Sequence, residues 1–222
     1  MLENLSSAVE DYAKAIYALQ RRADGEPVTT NDLAHRLGVT AASASSMAKK
    51  LADLDLVDHV PYRGVTLTPA GQRVALEVMR HHRLLELYLA EHLGVPWDRV
   101  HEEAEALEHH ISEDLEARIA EKLGNPTHDP HGDPIPSAEL EIDEGHTRAL
   151  ESLAVGDRAR FVRISDSDPE MLRYLEQRGI RIGDEFELVE RQPFDGPLTL
   201  RFGAGDEVIG GQLAASMRVE DL

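Results

Sequence analysis

Residues 30–54, TNDLAHRLGVTAASASSMAKKLADL, decide the architecture of the amino-terminal third of the chain. Apolar residues recur at helical spacing on both sides of Gly38, and glycine permits the sharp turn that joins two short helices. The pattern predicts helices over 31–37 and 41–54, with Thr30 as the N-cap of the first. The order of helix, tight turn and helix is typical of a helix-turn-helix motif, whose second helix reads DNA.

The flanking sequence extends this motif to a winged helix-turn-helix. A helix is predicted over 7–22, and two apolar-alternating stretches between residues 57 and 67 predict a β-hairpin. The predicted DNA contacts are small or hydroxyl side chains that fit closely into a groove, and cations that reach phosphates. These residues are Thr30, Thr40, Ala42, Ser43, Ser45, Ser46, Lys49, Lys50 and Arg63. A small helical bundle with a serine-rich surface is the alternative interpretation.

The rest of the chain predicts a helical domain followed by a small barrel. Helices over about 70–93 and 98–123 precede the segment 124–143, where proline, glycine and aspartate are crowded, as in a linker. Beyond residue 150, short apolar stretches alternate with turn residues, which predicts a β-barrel with a helix inserted over 169–178. The predicted strands cover 159–164, 185–189, 198–202 and 207–209. We therefore expect a mainly α protein with a small β part.

Composition and charge limit the possible functions. The chain of 222 residues contains no cysteine, which excludes disulfide frameworks, zinc–thiolate sites, iron–sulfur clusters and thiol nucleophiles. Neither a signal peptide nor a transmembrane helix is predicted, so we expect a cytoplasmic protein. Residues 1–76 carry 8 basic and 9 acidic side chains, whereas residues 77–222 carry 15 and 33. The nearly neutral segment can bind DNA, and the carboxylate-rich segment can bind cations.

Histidines and carboxylates share faces of the two long predicted helices. Six of the eleven histidines fall between residues 81 and 110, and two histidine–glutamate pairs have the four-residue spacing of one helix face. The residues on these faces are His82, Glu86, His101, Glu105, Glu108 and His109. Imidazoles and carboxylates without thiolates suit Mn²⁺ or Fe²⁺, and two such faces can hold two ions. A solvated acidic face with scattered histidines is the alternative.

Seven short motifs, spread along nearly the whole chain, carry a resemblance to a known family. They are VEDY at 9–12, AIY at 15–17, LGVT at 37–40, LTPAG at 67–71, RHHRLLE at 80–86, VHEEAEALEHH at 100–110 and HGDPIP at 131–136. Together they resemble the diphtheria toxin repressor family, which includes the manganese transport regulators. The resemblance implies three domains. They are a winged helix-turn-helix DNA-binding domain over 1–70, a helical metal-binding and dimerisation domain with a proline-rich linker over 71–144, and an SH3-like, FeoA-like domain over 145–222.

The resemblance also implies two metal sites in each subunit. The primary site would use Asp11, Glu105, Glu108 and His109, and the second would use His82, Glu86, His101 and a side chain of the barrel. Of the barrel candidates Ser167, Asp168 and Glu170, we favour Glu170.

Two positions bear on the identity of the metal. Iron-type members typically place Met and Cys where this chain has Asp11 and Glu105, and oxygen ligands favour Mn²⁺. Fe²⁺ remains the alternative, because Lys14 replaces a glutamate of the short manganese regulators and the domain layout is that of the iron-type members.

The implied function is a metal-activated, dimeric transcriptional repressor that binds palindromic operators and controls genes of metal uptake. Its expected partners are operator DNA, a second copy of the chain and a divalent metal effector, with no membrane. The alternatives are an iron regulator of the same family, a repressor that senses an organic ligand, and a dinuclear metal hydrolase. We do not expect an enzyme, because the sequence offers neither a substrate pocket nor an additional general base.

Overall fold

The structure, a computed structural model, describes residues 5–60, 62–194 and 196–222 and divides into two compact units. The first unit contains the described residues up to His82, together with Leu107–Ser112 and Pro136–Glu141. The second unit contains Arg83–Ala106, Glu113–Ile135 and Ile142–Leu222. In the part of the chain that the structure describes, no helix has the length and apolar character needed to cross a membrane.

The first unit contains the predicted winged helix-turn-helix. Its elements are α1 (Ser7–Arg22), α2 (Thr30–Leu37), α3 (Ala41–Asp53), β1 (Val57–Val60) and β2 (Gly64–Leu67). The two strands pair antiparallel, with Val57 opposite Leu67. Fully buried Ile16, Leu33 and Leu51 join the three helices in one core, because the apolar positions of each helix recur on one face.

The turn between α2 and α3 follows the prediction, but the start of α2 does not. Gly38 ends α2 in the left-handed conformation with a φ of 65°, which glycine adopts without steric cost. The prediction of Thr30 as N-cap is wrong, since Thr29 caps the helix and accepts a hydrogen bond from the Asp32 backbone nitrogen at 3.1 Å. Both positions carry threonine, so residue type alone did not distinguish them.

The predicted helix over 98–123 is interrupted. After α4 (Pro69–Leu93), the chain forms α5 (Val100–Leu107) and α6 (Glu113–Lys122). The second of these has three carboxylates in its first turn and follows a serine, a pattern that favours a new helix start. The interruption contains Glu108 and His109, two of the predicted metal ligands.

The second unit contains an antiparallel six-stranded sheet in the order β3-β8-β4-β5-β6-β7. The strands are β3 (Arg148–Ala149), β4 (Arg158–Ile164), β5 (Glu185–Arg191), β6 (Leu198–Phe202), β7 (Gly205–Ile209) and β8 (Met217–Asp221). Two helices, α7 (Pro169–Gln177) and α8 (Gly211–Ser216), complete it. The four predicted strands and α7 are confirmed, whereas the short β3, α8 and β8 were missed. Phe161 and Leu188 lie fully buried at the centre.

Part of the predicted linker folds as an ordered loop in the second unit. Asp129 Oδ1 accepts hydrogen bonds from the backbone nitrogens of His131 at 2.8 Å and Asp133 at 2.9 Å. The Ile164 nitrogen of β4 donates to the His131 carbonyl at 2.9 Å. The composition resembles that of a linker because the loop satisfies its backbone donors with a side chain instead of a regular ladder.

Replacing Gly132 with alanine is expected to destabilise this loop. Gly132 has a φ of +82°, and a Cβ there would lie 1.9 Å from the Val162 carbonyl oxygen. We expect the free energy of unfolding to fall by about 1–3 kcal/mol, which lowers the Tm by several degrees. Thermal unfolding followed by circular dichroism measures this. Gly203→Ala is the control, since no described atom lies within 4 Å of its Cβ position, and equal Tm losses in both variants would contradict the prediction.

Candidate metal centres and nucleic-acid interface

Three predicted ligands meet in the first unit. Asp11 of α1 and the neighbouring Glu108 and His109 each offer a ligand atom, and these atoms all lie within 4.8 Å of one another. His109 Nε2 is 3.0 Å from Asp11 Oδ1 and 3.4 Å from Glu108 Oε1. We call these three residues the first-unit site. They connect the first helix of the DNA-binding motif to the segment between α5 and α6.

A lysine and a histidine contact the buried carboxylate of this site. Lys14 Nζ donates to Glu108 Oε1 at 2.5 Å, and His82 Nδ1 contacts Glu108 Oε2. Burial acts to raise the pKa of Glu108, but the His82 and Lys14 contacts outweigh it and hold that pKa below its usual value. Glu108 is therefore ionised at neutral pH and available to a cation, although its side chain is only 1% exposed.

Glu105 is placed differently from the other predicted primary ligands. It lies in the second unit, where its Oε1 is 3.5 Å from His101 Nε2 and its side chain is 55% exposed. Its role as a primary ligand therefore remains a prediction. The same holds for His82 as a ligand of the second site: it precedes Glu86 by four residues in α4, and its Nδ1 contacts Glu108.

A second set of ligand atoms surrounds His101 in the second unit. His101 Nδ1 is 2.9 Å from Asp166 Oδ2 and 3.3 Å from Glu86 Oε1. Asp166 is therefore the barrel carboxylate that lies beside His101 in the structure, and the choice of Glu170 stays a prediction. Asp166 comes two residues after the end of β4, whereas Glu170 is exposed in the first turn of α7.

The ordered loop adds two candidate ligands that were not predicted from the sequence. Ligand atoms of Glu86, Asp129 and His131 also lie within 4.8 Å of one another, and all three residues are buried. His131 Nε2 is 2.8 Å from the Trp97 carbonyl, to which it donates, so Nδ1 faces Glu86 Oε2 at 3.7 Å. This nitrogen has no hydrogen-bond partner among the described residues. The sequence signal for His131 was the HGDPIP motif at 131–136, one of the motifs that carry the family resemblance.

We call Glu86, His101, Asp129, His131 and Asp166 the second-unit site. Hydrogen bonds to Asp166, Glu105 and Glu86 raise the pKa of His101 to about 12. Burial lowers the pKa of His131, but Glu86 and Asp129 outweigh it and raise the value to about 9. Both imidazoles therefore carry protons at neutral pH, which offsets the clustered carboxylates. The imidazoles and carboxylates of the second-unit site fit a divalent cation. When such an ion displaces the two imidazole protons, its double charge replaces theirs.

The exposed face of α3 has the composition expected of a DNA-reading surface. Ala44, Ala48 and Leu51 are buried, so the opposite face points to solvent. Its exposed residues are Ala42, Ser43, Ser45, Ser46, Lys49 and Lys50. Thr40 caps the helix and accepts from the Ser43 nitrogen at 3.1 Å.

The remaining two predicted contacts lie outside this face. Thr30 is half-buried at the start of α2. Arg63, at the tip of the β1–β2 hairpin, is exposed and forms an ion pair with Glu26. A phosphate would therefore compete with Glu26 for the Arg63 guanidinium.

Three models of known protein families match successive segments of the chain. The model of the iron dependent repressor N-terminal DNA binding domain matches residues 4–65, and that of the iron dependent repressor metal binding and dimerisation domain matches residues 68–137. The FeoA domain matches residues 148–221. The chain therefore has the three parts of a metal-dependent transcriptional repressor: a winged helix DNA-binding domain, a helical dimerisation domain and an SH3-like domain.

Individual relatives and solved structures point to the same family. The diphtheria toxin repressor of Corynebacterium efficiens is 32% identical over 86% of each chain. The iron-dependent repressor IdeR of Mycobacterium leprae is 31% identical over 86% of this chain and 80% of its own. A solved manganese-dependent transcriptional repressor in complex with manganese superposes with a TM-score of 0.88 at 42% identity, covering 96% of this chain and 100% of that one. The chain belongs to the diphtheria toxin repressor family.

Membership of this family decides between the classes left open by the sequence. Its members are metal-dependent transcriptional repressors and not enzymes, so the hydrolase alternative is set aside. Both manganese-dependent and iron-dependent proteins stand among the relatives.

Proposed function

We propose that this repressor responds to Mn²⁺ and that cation binding at the first-unit site controls its affinity for operator DNA. The observation that carries the proposal is the position of Asp11. This carboxylate belongs to α1 of the DNA-binding motif, yet its ligand atom lies with those of Glu108 and His109. Two carboxylates and one imidazole, without sulfur, favour Mn²⁺ among the metals that the relatives use.

The coupling follows from electrostatics and packing within the first unit. A bound divalent ion supplies positive charge that offsets the repulsion between the Asp11 and Glu108 carboxylates. Asp11 then holds α1 against the segment 107–112. Because α1 packs on α2 and α3, the orientation of the DNA-reading helix is restricted at the same time. By linkage, DNA must tighten metal binding by the same factor as metal tightens DNA binding.

We propose a homodimer that binds palindromic operators of metal-uptake genes. Two symmetry-related copies of α3, about 34 Å apart, would match half-sites separated by one helical turn of DNA. Exposed apolar side chains on the second unit support a contact between copies, since Leu93 is 63% and Leu115 is 46% exposed.

We assign a second ion to the second-unit site, which gives about two ions per subunit. His101, Asp166 and Glu86 would hold this ion, with the unpartnered His131 Nδ1 as a further donor. His82 stays a candidate because it lies one helical turn before Glu86. The barrel thereby donates a ligand through Asp166.

The proposal is tested by a DNA-binding titration with each metal. A palindromic fragment, selected from a random pool with the Mn²⁺-loaded protein, is labelled and titrated under chelation, with Mn²⁺ and with anaerobic Fe²⁺. We expect Mn²⁺ to increase the affinity more than Fe²⁺ at equal free concentration. A response to Fe²⁺ alone would make the protein an iron regulator, and equal affinity under chelation would refute metal control.

Removing Lys50 is expected to weaken DNA binding through one lost phosphate contact. The Lys50 side chain is exposed on α3, so Lys50→Ala leaves the core of the motif unchanged. The slope of log affinity against log salt should become shallower by roughly 0.9. Lys122→Ala, which removes an exposed cation from α6, is the matched control. Equal slopes in the two variants would place Lys50 outside the interface.

A further inference from the structure

Two consecutive carboxylates of α1 contact opposite nitrogens of one imidazole. Glu10 Oε2 is 2.5 Å from His109 Nδ1, while Asp11 Oδ1 is 3.0 Å from His109 Nε2. The two nitrogens of an imidazole point in different directions, and Glu108 Oε1 also lies on the Nε2 side, at 3.4 Å. Glu10 is therefore on the edge of His109 that faces away from the other members of the first-unit site.

We propose that Glu10 is a positioning residue that prepares His109 to bind metal. A carboxylate at Nδ1 accepts a hydrogen bond from the N–H group of that nitrogen, and so leaves the lone pair of the neutral ring on Nε2. Nε2 is the nitrogen that faces Asp11 and Glu108. The inference rests on the proposed function, since it assumes that the first-unit site binds the effector ion.

The surroundings of the contact favour a lasting hydrogen bond. The side chain of His109 is 10% exposed and that of Glu10 is 21% exposed, so water competes little for either group. A carboxylate that orients a ligating histidine also increases the basicity of the ring. Glu10 thus acts on the metal through His109, and α1 contributes both a ligand and the group that orients another ligand.

The test compares Mn²⁺ affinity in Glu10→Gln and Glu10→Ala with that of the parent chain. Each variant is made in a His101→Ala background, so that the second-unit site does not obscure the titration. Free Mn²⁺ is measured by electron paramagnetic resonance. We expect an affinity loss of about 10-fold or more for Glu10→Ala and a smaller loss for Glu10→Gln, whose amide oxygen can still accept. Glu103→Gln, which removes an exposed carboxylate from α5, should lose little.

A second readout does not depend on metal. Nitrogen-15 chemical shifts of the metal-free chain report which nitrogen of His109 carries the proton. We expect the neutral ring to carry its proton on Nδ1 in the parent chain, and to carry it mainly on Nε2, beside Asp11, in Glu10→Ala. Unchanged tautomer populations, or an Mn²⁺ affinity equal to that of the Glu103→Gln control, would overturn the role of Glu10.

The two proposals fail in different ways. If Glu10→Ala weakens Mn²⁺ binding and shifts the tautomers while Mn²⁺ leaves DNA binding of the parent chain unaltered, metal control fails and the role of Glu10 stands. If Mn²⁺ controls DNA binding and Glu10→Ala changes neither readout, the role of Glu10 fails and metal control stands.

Discussion

Replacing Asp11 with alanine is expected to abolish the Mn²⁺-dependent increase in DNA affinity without unfolding the protein. Asp11 is the α1 carboxylate whose ligand atom lies with those of Glu108 and His109. Coupling between two sites typically changes affinity by about 5- to 150-fold, and in Asp11→Ala this factor should fall to near one. The fold should persist because the Asp11 side chain is 43% exposed and alanine favours helix. Fluorescence anisotropy of labelled DNA with and without Mn²⁺ measures the factor.

The control for this experiment is Asp114→Ala. It removes the same charge from a side chain that is 77% exposed on α6, where the ion pair with Arg118 contributes little to stability. Circular dichroism should show near-equal Tm values for both variants. A full Mn²⁺ response in Asp11→Ala would show that the Asp11 carboxylate does not couple metal binding to DNA binding.

Metal affinity at the second-unit site is expected to rise steeply with pH. His101 has a pKa raised to about 12 and His131 one raised to about 9, so both imidazoles are protonated at neutral pH. A metal ligand must be the neutral ring, so the ion displaces protons, and lowering the pH strengthens this competition. Affinity should increase about tenfold per pH unit for each displaced proton, or about 100-fold between pH 6 and pH 8 for one proton.

Calorimetry in buffers of different ionisation enthalpy measures both the affinity and the number of protons released. Asp11→Ala serves as the background that removes a first-unit ligand, so that the second-unit site dominates the signal. Further substitution of His101 by alanine should remove the steepest part of the dependence. Binding that is independent of pH, without proton release, would show that the ion does not displace these imidazole protons.

The helices and strands were predictable because the spacing of apolar residues that indicates them repeats within a few residues of the chain. The apolar spacing gave α1 with its observed bounds, and the alternation in the β1–β2 hairpin and in four strands of the barrel was strong enough to read. The pairs with four-residue spacing named Glu86 and His101, whose side chains lie close together in the structure. The turn at Gly38 was predictable because so few residues adopt a positive φ without cost.

Apart from the N-cap of α2, the departures at the candidate sites depend on contacts between residues distant in the chain. The break at residues 108–112 was not predicted, because residues at helical spacing continue through it. In the structure, Glu108 and His109 lie beside α1 at this break. Asp166 and Glu170 are both acidic and close in sequence, and only the end of β4 decides which one reaches His101. Lys14 stays a departure from the manganese pattern, and only the folded chain shows that it contacts Glu108.

Anomalous diffraction from crystals grown with Mn²⁺ is the direct test of whether the ion binds at the first-unit site. We predict a manganese peak within coordination distance of an Asp11 oxygen, a Glu108 oxygen and His109 Nε2 in each subunit. Crystals of a protein that still responds to Mn²⁺ in solution, but with no peak beside Asp11, would contradict it.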